Sequence, residues 1–365
     1  MGIAALAVEG YRSLRRVRLE LGRLTVIAGA NGTGKSNLYR ALMLLQAAAR
    51  GELARSLAEE GGMPSVLWAG PRAKGSVRMA LGVEGEDWGY DLACGLPIPY
   101  PSMAFTMDPE VKSERVTALV GRRRVALMER DGQSARLRNA EGRWAPFDLA
   151  LLRSEAALSQ LREPQLYPEL SALSAEMAGW RFYHQFRSDA DSALRQPQVA
   201  ITNPVLSSDG RDLAATLATI RFIGDADALD AAIDGAFPGA RLLIQEHRGR
   251  LELLLETPGL FRPLEARELS DGTLRYLCLV AALLSPRPPR FLALNEPETS
   301  LHPDLLAPLA ALIVDAARDS QLWVVTHSDA LAAAIAERSG VRPLRLEKVE
   351  GATRIVEADE GEADA

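Results

Sequence analysis

The sequence predicts an α/β fold with a mostly parallel central sheet, an antiparallel β lobe and a helical insertion. Three observations predict it. A glycine-rich loop, Gly29-Ala-Asn-Gly-Thr-Gly-Lys-Ser36, lies between an apolar β-branched run, Leu24–Ala28, and a helical pattern from Asn37 to about Ala49. Two later apolar runs, Phe291–Leu294 and Leu322–Val325, each end in polar residues, as parallel strands do when their carboxyl ends carry a site. From Leu269 onward helical and strand patterns alternate.

Each element follows from its residues. Ile3–Val8 reads as a strand, and Arg12–Leu21 partly alternates charge with apolar groups, as a half-exposed strand does. A Gly/Pro-rich passage spans Gly61–Pro71. Short strands are expected near Ser76–Val83, Trp88–Ala93, Val116–Leu119 and Val125–Glu129, with a turn at Asp131-Gly132 and a loop at Pro97, Pro99 and Pro101. Phe147–Trp180 is helical in pattern, broken at Pro164 and Pro168. Arg181–Phe186 reads as a short strand, 209–237 as helical, and Leu242–Glu246 with Leu251–Glu256 as a hairpin. The expected domain is a discontinuous head over 1–345. Its core lies mainly in 1–50 and 200–345, its β lobe in about 1–23 and 75–135, and its lid or arm in about 147–180. Residues 346–365 form a terminal strand and a solvated acidic tail.

The loop at 29–36 matches G-x-x-x-x-G-K-[ST] in full, and its strand-loop-helix setting is the one in which that pattern has a mechanism. Glycines let backbone N–H groups wrap a polyphosphate, and the helix N-terminus adds partial positive charge. Gly29, Ala30, Asn31, Gly32, Thr33, Gly34, Lys35, Ser36 and Asn37 are the expected nucleotide contacts. Lys35 is expected on the β- and γ-phosphates, and the Ser36 hydroxyl on Mg²⁺. Lysine is otherwise scarce: only Lys35, Lys74, Lys112 and Lys348 occur.

Composition limits the alternatives. The chain has 365 residues, 47% hydrophobic and 25% charged, as in an ordinary globular protein. A net charge of −6 leaves non-specific nucleic-acid binding dependent on a local patch. Two cysteines, Cys94 and Cys278, argue against a disulfide framework or a multi-cysteine metal site. There is no basic-then-apolar leader pattern and no uncharged apolar run of membrane-spanning length, so a cytoplasmic protein with no membrane partner is expected.

Three further segments carry chemistry. Phe291-Leu-Ala-Leu-Asn-Glu296 is an apolar strand ending in an acid. Leu322-Trp-Val-Val-Thr326 is a second apolar strand, followed by His327. Leu269-Ser-Asp-Gly-Thr-Leu-Arg275 opens a helix, with Ser270 either a plain N-cap or part of an anion site.

In this order the motifs resemble the ATPase heads of the ABC/SMC/RecF class, nearest to compact RecF-like AAA-type ATPases of bacteria. Gly29–Ser36 resembles their Walker A motif, Leu269–Thr273 the signature, Leu292–Glu296 Walker B, Ser300–Pro303 the D-loop and His327 the switch histidine. Gly10-Tyr-Arg-Ser-Leu14 resembles the opening of these heads. The resemblance spans 1–50 and about 200–345. It implies ATP and Mg²⁺ as cofactors and ATP hydrolysis as the reaction. It also implies a homodimer formed on ATP, in which Ser270 and Gly272 act in trans. Lys35, Glu296 and His327 would be the catalytic residues, with Glu296 the general base and His327 at the γ-phosphate.

This sequence departs from that pattern at Asn295, where the class often has a Mg²⁺-holding Asp. Ser36 and Asn295 are the expected metal contacts. Either the exchange weakens Mg²⁺ binding or turnover, or the subfamily tolerates it. Gln185 and Gln196 are positional candidates for the class's glutamine loop, and neither is assigned. His302 lacks the clustered partners of a metal ligand. No appended nuclease or long coiled coil is legible, so a bare head is expected.

Two functions follow. One is an ATPase acting on DNA in repair or chromosome maintenance, with Arg12, Arg15, Arg16, Arg18 and Arg122–Arg124 either meeting phosphates or serving as solvated strand edges. The other is an ATP-gated regulatory or assembly protein, such as the partner of a separate effector in phage defence.

Overall fold

The computed structural model describes residues 2–71, 77–98, 104–139, 141–147, 150–161 and 163–356. The acidic tail from 357, and Pro99 and Pro101 of the expected loop, lie outside the described residues. In chain order, β1 (Ile3–Tyr11) and β2 (Leu14–Glu20) form a hairpin, and β3 (Leu24–Ala28) leads into the glycine-rich loop. Helices α1 (Lys35–Arg50), α2 (Leu53–Glu59) and α3 (Met63–Val66) follow. Next come β4 (Arg78–Gly85), β5 (Trp88–Gly95), β6 (Glu110–Val120), β7 (Arg123–Asp131), β8 (Ser134–Arg138) and β9 (Trp144–Pro146), then α4 (Ala157–Gln160) and α5 (Pro168–Gly179). The second half begins with β10 (Arg181–Tyr183), β11 (Gln198–Val199), α6 (Leu213–Ile223) and α7 (Ala226–Ala236). It continues through β12 (Arg241–His247), β13 (Arg250–Glu256), β14 (Leu264–Glu265) and α8 (Asp271–Leu283). It ends with β15 (Phe291–Asn295), α9 (Leu306–Ala316), β16 (Gln321–Thr326), α10 (Asp329–Ser339), β17 (Leu344–Val349) and β18 (Ala352–Val356).

The chain divides into two compact units, one of residues 1–22, 29–180 and 344–365, the other of 23–28 and 181–343. The first unit holds an eight-stranded antiparallel sheet in the order β2-β1-β4-β5-β6-β7-β8-β9. Its strands alternate as expected: in β2 Leu14, Val17 and Leu19 are buried, while Arg15, Arg16 and Arg18 are exposed. The lobe runs past residue 135 to Pro146, further than the residue pattern indicates. Trp144 holds β9 there, with the guanidinium groups of Arg136 and Arg138 4.6 and 4.7 Å from its ring.

The helical segment expected over 147–180 contracts to α4 and α5. Between lobe and helices the described residues 150–156 form no helix but turn at 153–155, and Arg130 donates to Leu152 O and Glu155 O there at 2.7 and 2.6 Å. Glu114, whose carboxyl group burial pushes up, accepts from the Ala157 and Leu158 amides at the start of α4. Residues 344–356 make a β17–β18 hairpin rather than one terminal strand.

The second unit is built on four parallel strands in the order β10-β15-β16-β3. Strands β15 and β16 are buried throughout and apolar except at Asn295, Gln321 and Thr326 near their ends, as strands covered on both faces are. The other described strand pairings with a stated register are antiparallel, including β12–β13 with β11 and β14 alongside. The segment 209–237 is two helices separated at Gly224. Helices α6 to α10 contribute Leu217, Leu277, Leu309 and Ile335, among others, to one continuous core with the parallel strands. Cys278 lies in that core as expected, and burial pushes its thiol up. Among the described residues no helix is long and apolar enough to cross a membrane.

Candidate functional site

Parallel register brings the carboxyl ends of the four strands to one edge. Tyr183 pairs with Leu294, Asn295 with Val325, and Thr326 with Ala28. At that edge the chain leaves β10 into His184-Gln185, β15 into Glu296, β16 into His327, and β3 into Gly29. Residues far apart in sequence therefore share the edge where α/β sheets bind ligands. Gln185 stands there; Gln196 follows a short 3₁₀ turn at Ala193–Arg195 instead.

The glycine-rich loop, in the first unit, is held from several sides. Lys35 is buried at the start of α1, and its Nζ donates to Gly29 O at 2.6 Å and Ala30 O at 2.9 Å. Thr33 Oγ1 donates to Ala30 O at 2.9 Å. Thr353 of β18, which is buried, donates from Oγ1 to Thr33 O at 2.7 Å and from its amide to Ser13 O at 2.9 Å. The Ser13 hydroxyl lies 2.7 Å from Thr353 Oγ1 and accepts from Asn37 Nδ2 at 2.8 Å. Gly34 sits inside this clamp at φ +105°, and a Cβ there would lie 2.0 Å from Thr353 Oγ1. Only glycine meets both demands. Asn37 thus acts as a brace of the loop. Ala30, Asn31 and Gly32 are exposed, and the Ser36 side chain is half-buried at the N-terminus of α1.

The edge of the second unit is organised by carboxylates. Glu296 adopts φ +49° just past β15, and its amide donates to Val325 O at 2.7 Å. His327 Nδ1 lies 3.9 Å from Glu296 Oε2, but only 3.1 Å from Glu298 Oε1. Glu298 is the residue that the motif reading missed. It is buried, and its Oε1 also accepts from Thr326 Oγ1 at 2.6 Å and from the amides of His327 and Ser328 at 2.9 and 3.2 Å. Arg275 of α8 donates to Glu296 O at 3.3 Å. Burial pulls its guanidinium below the ordinary value, against the opposing influence of Cys278, Glu298 and Glu296.

Asn295 is buried, and its Nδ2 lies 2.7 Å from His184 Nδ1. Its Oδ1 is buried with no hydrogen-bond partner. That lone oxygen and the Ser36 hydroxyl are donors of the type a hard cation takes, although neither brings charge. Among the described residues no group of three or more His, Cys, Asp or Glu side chains could hold a metal. Neutral oxygens of this kind suit an ion carried largely by phosphates and water, as Mg²⁺ usually is.

Ser270 caps α8, its Oγ accepting from Thr273 N at 3.1 Å, and it is exposed. A Cβ at Gly272 would lie 2.6 Å from Ser300 O, so glycine lets the Leu269–Thr273 turn pack against the segment that follows Glu296. Arg195, invisible to motif reading, braces the same turn. Its guanidinium donates to Ala266 O, Arg267 O and Leu269 O at 3.2, 3.2 and 2.7 Å, and to Asp271 Oδ1 at 2.6 Å. His302 is exposed and pairs locally with Asp304.

The arginine runs are largely engaged. Arg12 pairs with Glu60, Arg16 with Glu9, and Arg18 with Glu20 and Glu84. Arg124 donates to Trp88 O and Gly85 O, which leaves Arg122 and Arg123 exposed at the β6–β7 turn.

Comparison with known proteins adds family and fold. A family model described as "AAA domain, putative AbiEii toxin, Type IV TA system" matches residues 137–333, more than half of the chain. The match takes in Ser270, Glu296 and His327 and begins downstream of the glycine-rich loop. No curated protein matches by sequence. Among solved structures, an SMC head bound to the C-winged helix domain of ScpA superposes with a TM-score of 0.57 at 17% identity, over 100% of both chains. An SMC head with an extended coiled coil, bound to the C-terminal domain of ScpA derived from Pyrococcus furiosus, gives 0.55 at 15% identity, over 97% of this chain and 96% of that one. The likeness to SMC heads shows a P-loop α/β fold, and the match over 137–333 shows the family: the chain belongs to this AAA-domain family of ATPases.

Proposed function

We propose that the chain binds ATP with Mg²⁺ on the Gly29–Ser36 loop and hydrolyses it in an ATP-dependent homodimer. The observation that carries this reading is the shared edge: β3 runs into the glycine-rich loop beside the strands that end at Glu296 and His327. Lys35 holds the β- and γ-phosphates, and the backbone amides of residues 29–36 surround them. Ser36 and the Asn295 Oδ1 are the protein's contribution to Mg²⁺, which when bound neutralises phosphate charge. Glu296 accepts the proton of the attacking water, a role worth about 10²–10⁴-fold in rate. His327 contacts the terminal phosphate. The exposed Ser270 and the close-packed Gly272 serve the nucleotide of a second copy.

The test is Glu296→Gln. This variant is expected to bind ATP, lose turnover and accumulate as a dimer in light scattering with size exclusion. A variant that stays monomeric with saturating ATP overturns the shared-site mechanism.

The ATPase cycle serves one of two ends. Action on DNA in repair or chromosome maintenance requires a basic surface, and the pairing of Arg12, Arg16 and Arg18 with carboxylates leaves Arg15, Arg122 and Arg123 as its main material. An ATP-gated protein that engages a separate effector is supported by the structural relatives, whose heads are bound to domains of ScpA. Salt-dependent DNA affinity that falls on Arg122→Ala/Arg123→Ala favours the first. ATP-dependent co-purification of a protein partner, without DNA affinity at low salt, favours the second.

A further inference from the structure

We infer that Glu298 is a positioning residue for His327: it fixes the tautomer and direction of the imidazole, and so leaves Glu296 free to act on water. The inference rests on the reading of His327 given above and adds a residue that reading does not use.

The geometry separates the two carboxylates. Both lie near His327 Nδ1, but Glu298 Oε1 is at hydrogen-bonding distance, 3.1 Å, and Glu296 Oε2 at 3.9 Å is not. Glu298 is also the better-fixed group, its side chain 6% exposed against 32% for Glu296. Oε1 is locked by three further donors, Thr326 Oγ1 and the amides of His327 and Ser328. Two of these are main-chain groups of the segment that carries the imidazole. The carboxylate therefore holds the backbone of His327 and lies beside its ring.

The chemistry follows from the donor inventory. A carboxylate only accepts, so the ring nitrogen facing Glu298 carries the proton. In the neutral ring Nε2 is then an acceptor. A carboxylate that sets the tautomer of a working histidine is a recurrent arrangement. The other oxygen, Oε2, is buried without a hydrogen-bond partner, and the Arg275 guanidinium interacts electrostatically with this carboxylate. Leaving an acceptor in that state is costly, so the carboxylate is held for what Oε1 does.

Glu298→Gln tests this, since it keeps the shape and an accepting Oε1 while removing the charge. Turnover is expected to fall about tenfold or more, while ATP affinity changes by less than about twofold. The same substitution in a His327→Gln background is expected to change turnover by less than about twofold, because the two residues act as one unit. Equal factors in both backgrounds overturn the inference. A second readout needs no activity. The ¹⁵N shifts of the His327 ring are expected to report the Nδ1–H tautomer in the parent and its partial loss in Glu298→Gln, with Glu298→Asp as substitute if that variant does not fold. An Nε2–H tautomer in the parent overturns the inference. A parent that binds no ATP overturns the ATPase reading and leaves the ring spectrum to decide this one.

Discussion

The glycine-rich loop and the carboxylate edge solve the same problem, holding a few polar atoms still, by opposite means. The loop is fixed by short neutral side chains: Thr33, Thr353, Ser13 and Asn37 link carbonyls and hydroxyls at 2.7–2.9 Å, and Lys35 closes on Gly29 and Ala30. The edge is fixed by one buried charge, Glu298, around which Thr326, His327 and Ser328 gather. The loop distributes its stability over many modest bonds, each worth about 1 kcal/mol net. The edge concentrates it in one group and leaves Asn295 Oδ1, Glu298 Oε2 and Arg275 Nε buried without hydrogen bonds. A lattice of small bonds is tolerant of single losses but intolerant of added volume. A single buried charge has the reverse sensitivities.

Three substitutions sharpen that contrast, beginning with the largest effect. Gly34→Ala places a methyl group 2.0 Å from Thr353 Oγ1 at a left-handed φ. It is expected to cost about 1–3 kcal/mol of stability, read as a lower denaturant midpoint, and to weaken ATP binding. A normal midpoint would mean that the clamp yields easily. Thr353→Val removes one hydroxyl from the lattice without changing volume. About 1 kcal/mol of stability is expected to go, with a smaller loss of nucleotide affinity, and Thr353→Ser is expected to recover both in calorimetry. If Val and Ser behave alike, the hydroxyl is not what holds the loop. Asn295→Asp adds a charge at the edge next to Glu296 and Glu298. Its effect is expected to stay below about tenfold, equivalent to about 1.4 kcal/mol, as faster turnover at limiting Mg²⁺. Unchanged Mg²⁺ dependence would mean that Asn295 does not weaken the site.

The loop was legible because its chemistry is contiguous: eight residues between a strand and a helix carry the pattern, and local spacing is what a sequence displays. The Glu296 and His327 positions were legible because apolar strands announce their ends. Glu298, two residues beyond Glu296, carried no such signal. Its role arises only when β15 and β16 lie side by side, and nothing local distinguishes it from a solvated acid. Thr353 and Arg195 were hidden for the same reason, each acting on residues far off in sequence. The three-residue β9 was too short to alternate, and the turn before α4 is held by Arg130, which donates to carbonyls more than twenty residues on. The basic runs illustrate the converse: Arg16 and Arg18, close in sequence to other arginines, became ion pairs once strands β1 and β4 supplied Glu9 and Glu84, with Glu20 of their own strand.

The contact between Ser13 and Thr353 joins residues 340 positions apart. A growing polypeptide emerging from the ribosome therefore carries the complete Gly29–Ser36 motif long before β18 exists to brace it. The nascent protein at that stage has the letters of a phosphate loop without the brace that Thr353 supplies. Contacts of such separation also form late in folding, since loop closure is paid in entropy before it is rewarded.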